Sequence, residues 1–342
     1  MNFCTGIVTR GKNSPNQLRL RKRVRLRQFG VHDERCFFRL VILKLVCDVS
    51  RNVFYRKNNG MAKRIDSLRD LTSAYDVVLC DVWGVLHNGV VANADASAAL
   101  EAARGRGQTV VLITNSPRIS PQVVEQLRTI GVSDGAYDRI VTSGDVTRTL
   151  IAEGPKSVFL LGPDRDVALI EGLGVERVSA DEAQSVVCTG FFDDETETPE
   201  DYTDMLKAFA ARNVPMICAN PDLIVERGHR MIPCAGAMAA YYNQMGGETR
   251  VAGKPHRPIY EASLAAAREV RGDFDLSRVV AIGDGMPTDV RGALGYGLDL
   301  LYISQGIHAG EYTIDGKADE AILHAFLDRE QASPTWWMPT LA

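Results

Sequence analysis

Val77-Val78-Leu79-Cys80-Asp81-Val82-Trp83-Gly84-Val85-Leu86 is an apolar run that ends on an aspartate and breaks at a glycine. Four apolar residues without polar alternation read as a strand buried on both faces, the habit of a parallel sheet. Asp81 then sits at the carboxyl end of that strand, where open α/β sheets place their ligands. A carboxylate there can attack phosphorus, and its second oxygen can hold Mg²⁺. An isolated strand-end aspartate more often caps a turn, so its company decides.

Outward from that strand, helix-like and strand-like runs alternate. An Ala-rich helix is predicted from about Asn93 to Arg104, stopped at Gly105, followed by a strand over Thr109-Val110-Val111-Leu112-Ile113-Thr114. Ser120-Pro121 caps and opens another helix, with proline at the first helical position. This βαβ pattern predicts a parallel sheet with right-handed crossovers. Further strands are expected at Ser157 to Leu161, Val186 to Cys188, Val214 to Cys218, Val279 to Ile282 and Leu298 to Ile303. The stretch from about Gly144 to Gly236 is too long for a loop and reads as an inserted domain with its own sheet.

Three further signals accompany Asp81. Thr114 ends an apolar run, where its hydroxyl and the Asn115 backbone N–H can grip a phosphoryl oxygen, although Thr-Asn at a strand end is also ordinary loop chemistry. Lys254, pinned between Gly253 and Pro255, offers an ammonium point charge for a phosphoryl group and for carboxylates beneath it; the bland reading is an exposed lysine. Gly283-Asp284-Gly285-Met286-Pro287-Thr288-Asp289 puts two carboxylates at one strand end, as a hard octahedral cation requires. Asp289 is alternatively an N-cap of the helix through Leu294, and the two roles can coexist.

In order and in kind, these segments resemble the four motifs of the haloacid dehalogenase (HAD) superfamily, most closely class IIA, the NagD-like phosphatases. Ala219-Asn220-Pro221-Asp222 and Pro233-Cys234-Ala235-Gly236-Ala237-Met238-Ala239-Ala240 support the subclass. The resemblance implies an α/β fold: a Rossmann-like HAD core with a parallel sheet and a large inserted α/β cap. It divides the chain into core (61–143), cap (144–236) and core again (237–342). Asp81 is then the nucleophile, Thr114, Asn115 and Lys254 the phosphate grip, and Asn220, Asp222 and Gly236 substrate contacts. Mg²⁺ is expected on Asp81, the Trp83 backbone carbonyl and Asp284, with Asp289 ordering its water shell. A small phosphorylated metabolite is the implied partner, with a homodimer through the cap.

One departure matters. The first motif of the superfamily reads Asp-x-Asp-Gly, and its second aspartate protonates the leaving oxygen before activating water. Trp83 replaces it here, and an indole N–H is a donor without usable acidity. His87 is the rival proton donor. General acid–base help is worth ~10²–10⁴, a fraction of the total acceleration of phosphate monoester hydrolysis, so the loss is partial. The main expectation is therefore a Mg²⁺-dependent phosphohydrolase working through an aspartyl-phosphate. The alternative is a catalytically impaired protein of the same fold that binds a phosphorylated ligand or a partner. Dinucleotide and P-loop fingerprints are absent from the expected turns, and His87, His256 and His308 lack metal-ligand spacing. Trp336 and Trp337 are read as packing groups.

Charge separates the first sixty residues from the rest. They carry 14 Lys and Arg against 3 Asp and Glu, whereas the remainder carries 25 against 40. The run Arg19 to Arg27 suits an anionic surface. Met61 opens a segment resembling the start of a bacterial class II HAD protein, so residues 1–60 are expected to be a basic extension, disordered or a misassigned start, with a targeting segment or a binding tail as the alternatives. No nucleic acid is expected on the core. Cys36 to Cys47 is interrupted by Arg39 and Lys44 and falls short of the ~20 residues a span needs, so no membrane segment is expected. Seven cysteines without paired metal spacing, with Cys80, Cys188 and Cys218 in apolar runs, suggest a reducing, cytoplasmic setting.

Overall fold

The computed structural model describes residues 61–227 and 230–342. The expected basic extension, residues 1–60, lies outside them. The chain begins with β1 (Lys63–Arg64) and β2 (Val77–Asp81), then α1 (Ala94–Gly105), β3 (Thr109–Thr114), α2 (Ser120–Ile130), β4 (Arg139–Thr142) and α3 (Ser143–Glu153). A second run holds β5 (Ser157–Leu161), β6 (Glu176–Arg177), β7 (Ser185–Cys188), α4 (Thr203–Ala211) and β8 (Met216–Cys218). It continues through β9 (Ile224–Arg227), β10 (Arg230–Pro233), α5 (Ala235–Gln244) and β11 (Thr249–Val251). The chain returns through α6 (Arg257–Arg271), β12 (Val279–Gly283), α7 (Arg291–Tyr296) and β13 (Asp299–Ile303). A small hairpin, β14 (Thr313–Ile314) with β15 (Lys317–Ala318), precedes α8 (Glu320–Arg329) and β16 (Trp336–Met338).

Seven strands form the core sheet in the order β1-β16-β13-β12-β2-β3-β4, every neighbour pair parallel. The apolar runs face both ways. Val77, Leu79, Val111, Ile113 and Val279 pack under α6 and α8, while Val78, Cys80, Val110, Leu112 and Ile282 pack under α1 and α2. That two-sided burial explains why β2 reads as an unbroken apolar run. The first helix starts where expected because the Asn93 side chain accepts from Ala96 N–H at 3.3 Å and caps it.

From β2 the chain moves one way along the sheet, to β3 and β4. From β12, beside β2, it moves the other way, to β13 and β16. Ligand crevices in open α/β sheets lie outside the strand ends at such a reversal.

The inserted region makes its own five-stranded parallel sheet, β11-β8-β7-β5-β6. This sheet continues past residue 236, the expected boundary, to Val251. Met238, Ala239 and Tyr242 of α5 fill the cap core against Cys188 and Met216, and β11 pairs with β8 at Val251↔Cys218. Cys80, Cys188, Cys218 and Cys234 are free and buried. Trp337 is buried in the core, and the Trp336 indole N–H donates to the Tyr75 hydroxyl at 3.0 Å. Among the described residues no helix is long and apolar enough to cross a membrane.

Candidate active site

Adjacent strands deliver the site. Asp81 ends β2, Thr114 ends β3, and Asp284 follows β12; the registers Cys80↔Ile282 and Asp81↔Ile113 bring these ends level. Lys254 comes from the return crossing between cap and core. Its ammonium donates to Asp81 Oδ1 at 2.5 Å and to Asp289 Oδ1 at 2.7 Å. Asp81, Lys254, Asp284 and Asp289 are each only 3–5% exposed. A lysine this buried survives because its partners repay the desolvation.

Carboxylate oxygens of Asp81, Asp284 and Asp289 lie within 4.8 Å of one another. Three carboxylates face one ammonium, so full ionisation would leave two negative charges over in a buried place. The consequence shows in their acidity. Burial, then Asp289, pushes the Asp81 carboxyl well above the ordinary carboxylate range, against the pull of Lys254. Burial and Asp289 raise Asp284 to about 7. Burial pulls the Lys254 ammonium down, but Asp289, Asp81 and Asp222 more than offset it and hold its pKa well above the ordinary lysine value. An all-oxygen donor set with surplus negative charge fits a hard divalent cation.

Backbone close approach shapes this floor. A β-carbon on Gly306 would come within 2.1 Å of Asp284 Oδ2, and one on Gly84, already at φ +86°, within 2.4 Å of the same atom. Ile307 N–H donates to Asp284 Oδ2 at 2.7 Å, and Gly285 N–H donates to Asp289 Oδ2 at 3.1 Å. Asp289 therefore turns inward to Lys254 and Gly285, and the N-cap of the turn it belongs to is Gly285. Asn115 is a brace. Its Oδ1 accepts from Lys254 N–H at 2.7 Å, and its Nδ2 donates to Asp222 Oδ1 at 2.9 Å and Lys254 C=O at 3.2 Å. What Asn115 has to offer an oxyanion is therefore its backbone. The Thr114 hydroxyl accepts from Ser116 N–H at 3.2 Å.

Above this floor opens a cleft of about 340 Å³. Asp81, Thr114, Asn115, Lys254, Asp284 and Asp289 line it, as do Trp83 and Asp222. Asn220 and Gly236 stand behind it. The Asn220 side chain accepts from Asp222 N–H at 3.0 Å, and a β-carbon on Gly236 would strike the Pro221 and Asp222 carbonyls. Both hold the Pro221-Asp222 turn that presents Asp222. His87 lines the cleft, but its Nδ1 accepts from Gly89 N–H at 2.9 Å, and burial pushes its pKa down to about 4. Near neutrality it is an uncharged imidazole and a weak acid, which counts against it as the proton donor.

Comparison with known proteins agrees with the motifs. Residues 78–176 match the model of haloacid dehalogenase-like hydrolases, and residues 251–328 match a second, HAD-hydrolase-like model. A hydrolase of the haloacid dehalogenase-like family from Brucella suis is 53% identical, with TM-score 0.74, over 81% of this chain and the whole of that one. The chain belongs to the haloacid dehalogenase-like hydrolases.

Two other relatives of this hydrolase are similar to it at lower identity. An acid sugar phosphatase of Staphylococcus aureus is 28% identical over 240 residues, 68% of this chain and 88% of that one. The structure of a glycerol phosphate phosphatase from Mycobacterium tuberculosis in complex with calcium is 25% identical, with TM-score 0.54, over 69% of this chain and 68% of that one. The class IIA assignment thus agrees with both fold and relatives. Sequence reasoning missed the hydrolase's β9–β10 hairpin, which supplies Ile224, Val225 and Glu226 to the cleft wall. It also missed the Ile307 amide, whose only sequence signal was a glycine, Gly306, just beyond a strand.

Proposed function

We propose that this hydrolase cleaves a small phosphorylated metabolite with Mg²⁺, through an aspartyl-phosphate on Asp81. The observation that carries the reading is the buried Asp81–Lys254–Asp289 arrangement with Asp284 at adjacent strand ends, on a chain related to phosphatases. When bound, Mg²⁺ supplies the charge neutralisation that the surplus carboxylates lack, held by Asp81, Asp284 and the Trp83 carbonyl, with Asp289 ordering its water. Lys254, Thr114 and the Asn115 backbone orient the phosphoryl group. An Asp81 carboxylate oxygen forms a bond to phosphorus as the bond to the leaving oxygen breaks. Water then attacks phosphorus and releases inorganic phosphate, which restores the carboxylate.

Position 83 supplies no proton to the leaving oxygen, and neutral His87 is a poor substitute. The leaving group must therefore depart as an oxyanion, or take its proton from water. That favours acyl, enol or aryl phosphates over alkyl ones. The test is a panel of phosphate esters with and without Mg²⁺, for wild type and Asp81→Asn. Metal-dependent turnover lost in the variant is expected; turnover that survives in Asp81→Asn places the chemistry elsewhere.

A further inference from the structure

Trp83 stands where the related motif carries its second acid, and its side chain reaches the cap. The indole N–H donates to the Glu226 carbonyl at 2.7 Å, joining the loop after β2 to strand β9. The ring is seated by its own loop. Gly89 has φ +85°, and a β-carbon there would come within 2.4 Å of indole Cζ2, so the ring lies flush on the glycine. The His87 ring meets it edge-on at 4.9 Å and 68°. Gly84 N–H donates to the His87 carbonyl at 2.9 Å, and Asn93 N–H donates to that of Leu86 at 2.7 Å, so this loop is closed upon itself.

The hairpin is mounted on the cap with equal definition. Arg227 forks onto Asp194 at 3.1 and 2.8 Å, and Arg230 meets Glu195 at 3.0 Å. The cleft runs between these bodies, with Trp83, His87 and Val91 on one wall and Ile224, Val225 and Glu226 on the other. The indole N–H thus spans the mouth from one independently braced wall to the other.

We propose that Trp83 is a positioning residue for substrate: its indole latches the β9–β10 hairpin across the cleft mouth and sets the room left for the leaving group. A single hydrogen bond between neutral groups is modest in net strength, so the latch can release for substrate exchange. The latch stands on geometry alone; its effect on turnover rests on the phosphohydrolase reading.

Trp83→Phe keeps a ring on Gly89 and deletes the donor. In hydrogen–deuterium exchange on the full chain, the β9 and β10 amides should exchange about 2- to 10-fold faster in this variant, with β2 and β12 unchanged. KM for p-nitrophenyl phosphate should rise by a similar factor, with a smaller change in kcat. Gly89→Ala, which displaces the indole from its seat, should give the same local pattern and guards against misfolding of either variant alone. Unchanged β9 and β10 exchange in both variants overturns the latch. Faster local exchange in a protein whose wild type hydrolyses no phosphate ester leaves the latch standing and overturns the phosphohydrolase reading.

Discussion

The floor and the mouth of the cleft are built by different means. The floor is charged, buried and fixed by sheet register: Asp81, Thr114 and Asp284 leave neighbouring strands, and Lys254 is locked between two carboxylates. The mouth is loop and hairpin, apolar at Val91, Ile224 and Val225, and bridged by the indole N–H of Trp83. Removing the one cation of the floor leaves buried carboxylates unbalanced, which costs kilocalories. A change at the mouth exchanges one modest contact for water. On the proposed reading, bond making belongs to the sheet ends, and the choice of leaving group to the rim.

The largest expected effect is at the floor. Asp81→Asn should lower turnover by ~10⁴-fold or more while the melting temperature stays near that of wild type, because the nucleophile is lost and the shape is kept. Comparable turnover in the variant would break the assignment of chemistry to the floor. Next, Lys254→Met leaves Asp81 and Asp289 facing each other without their cation. Removing one partner of a buried pair costs about 3–5 kcal/mol, and urea unfolding of the metal-free protein should show a loss of that size. A loss below about 1 kcal/mol would mean that the floor is wetter than its burial indicates.

Acidity sharpens the comparison further. Asp284 holds its proton to about 7 in the fold, against an ordinary carboxyl value of 3.8. Its contribution to the stability of the metal-free protein is therefore fully present below pH 3.8 and is lost as pH rises through 7. In the proposed site Mg²⁺ displaces that proton and the one Asp81 holds, so affinity should fall by at least about tenfold for each pH unit below 7. Calorimetric titrations at pH 6 and pH 8 measure this, and a flat affinity would deny the raised acidity.

The smallest effect is at the rim. Trp83→Asp restores an acid but removes the indole latch, so alkyl phosphates should gain by ~10-fold while their KM rises. A plot of log rate against leaving-group pKa should be steep for wild type, shallower for Trp83→Asp and unchanged in His87→Ala. A shallow wild-type slope would mean that another group donates the proton.

Much of the floor was legible in the sequence because it consists of side chains at the ends of fully buried strands. Val77 to Cys80 and Thr109 to Thr114 are continuous apolar runs, and the residue after such a run points where a ligand lies. The Asp284 to Asp289 spacing carried its own geometry. The rim was opaque for a physical reason. Its contacts use backbone groups, the Glu226 carbonyl and the Ile307 amide, which leave no mark on residue type. The β9–β10 hairpin is half-exposed and interrupted by arginines, so it shows neither strand alternation nor an apolar run. The end of the cap was hidden likewise: β11 is three residues, Thr249-Arg250-Val251, too short to announce a strand. Trp83 was read for the acid it lacks, and its partner 143 residues away was out of reach.

The central pairing of β2 with β12 has a cost paid during synthesis. The two strands are neighbours in the sheet, yet the whole cap is made between them. At the usual pace of translation, ~5–20 residues per second, β2 waits roughly 10–40 s for its partner. Meanwhile β3 and β4 can pair on one side, leaving Val77-Val78-Leu79-Cys80 as an open apolar edge, the kind of surface that recruits another chain. In that interval the strand that ends on Asp81 has one edge unpaired, and chaperone demand during expression should peak then.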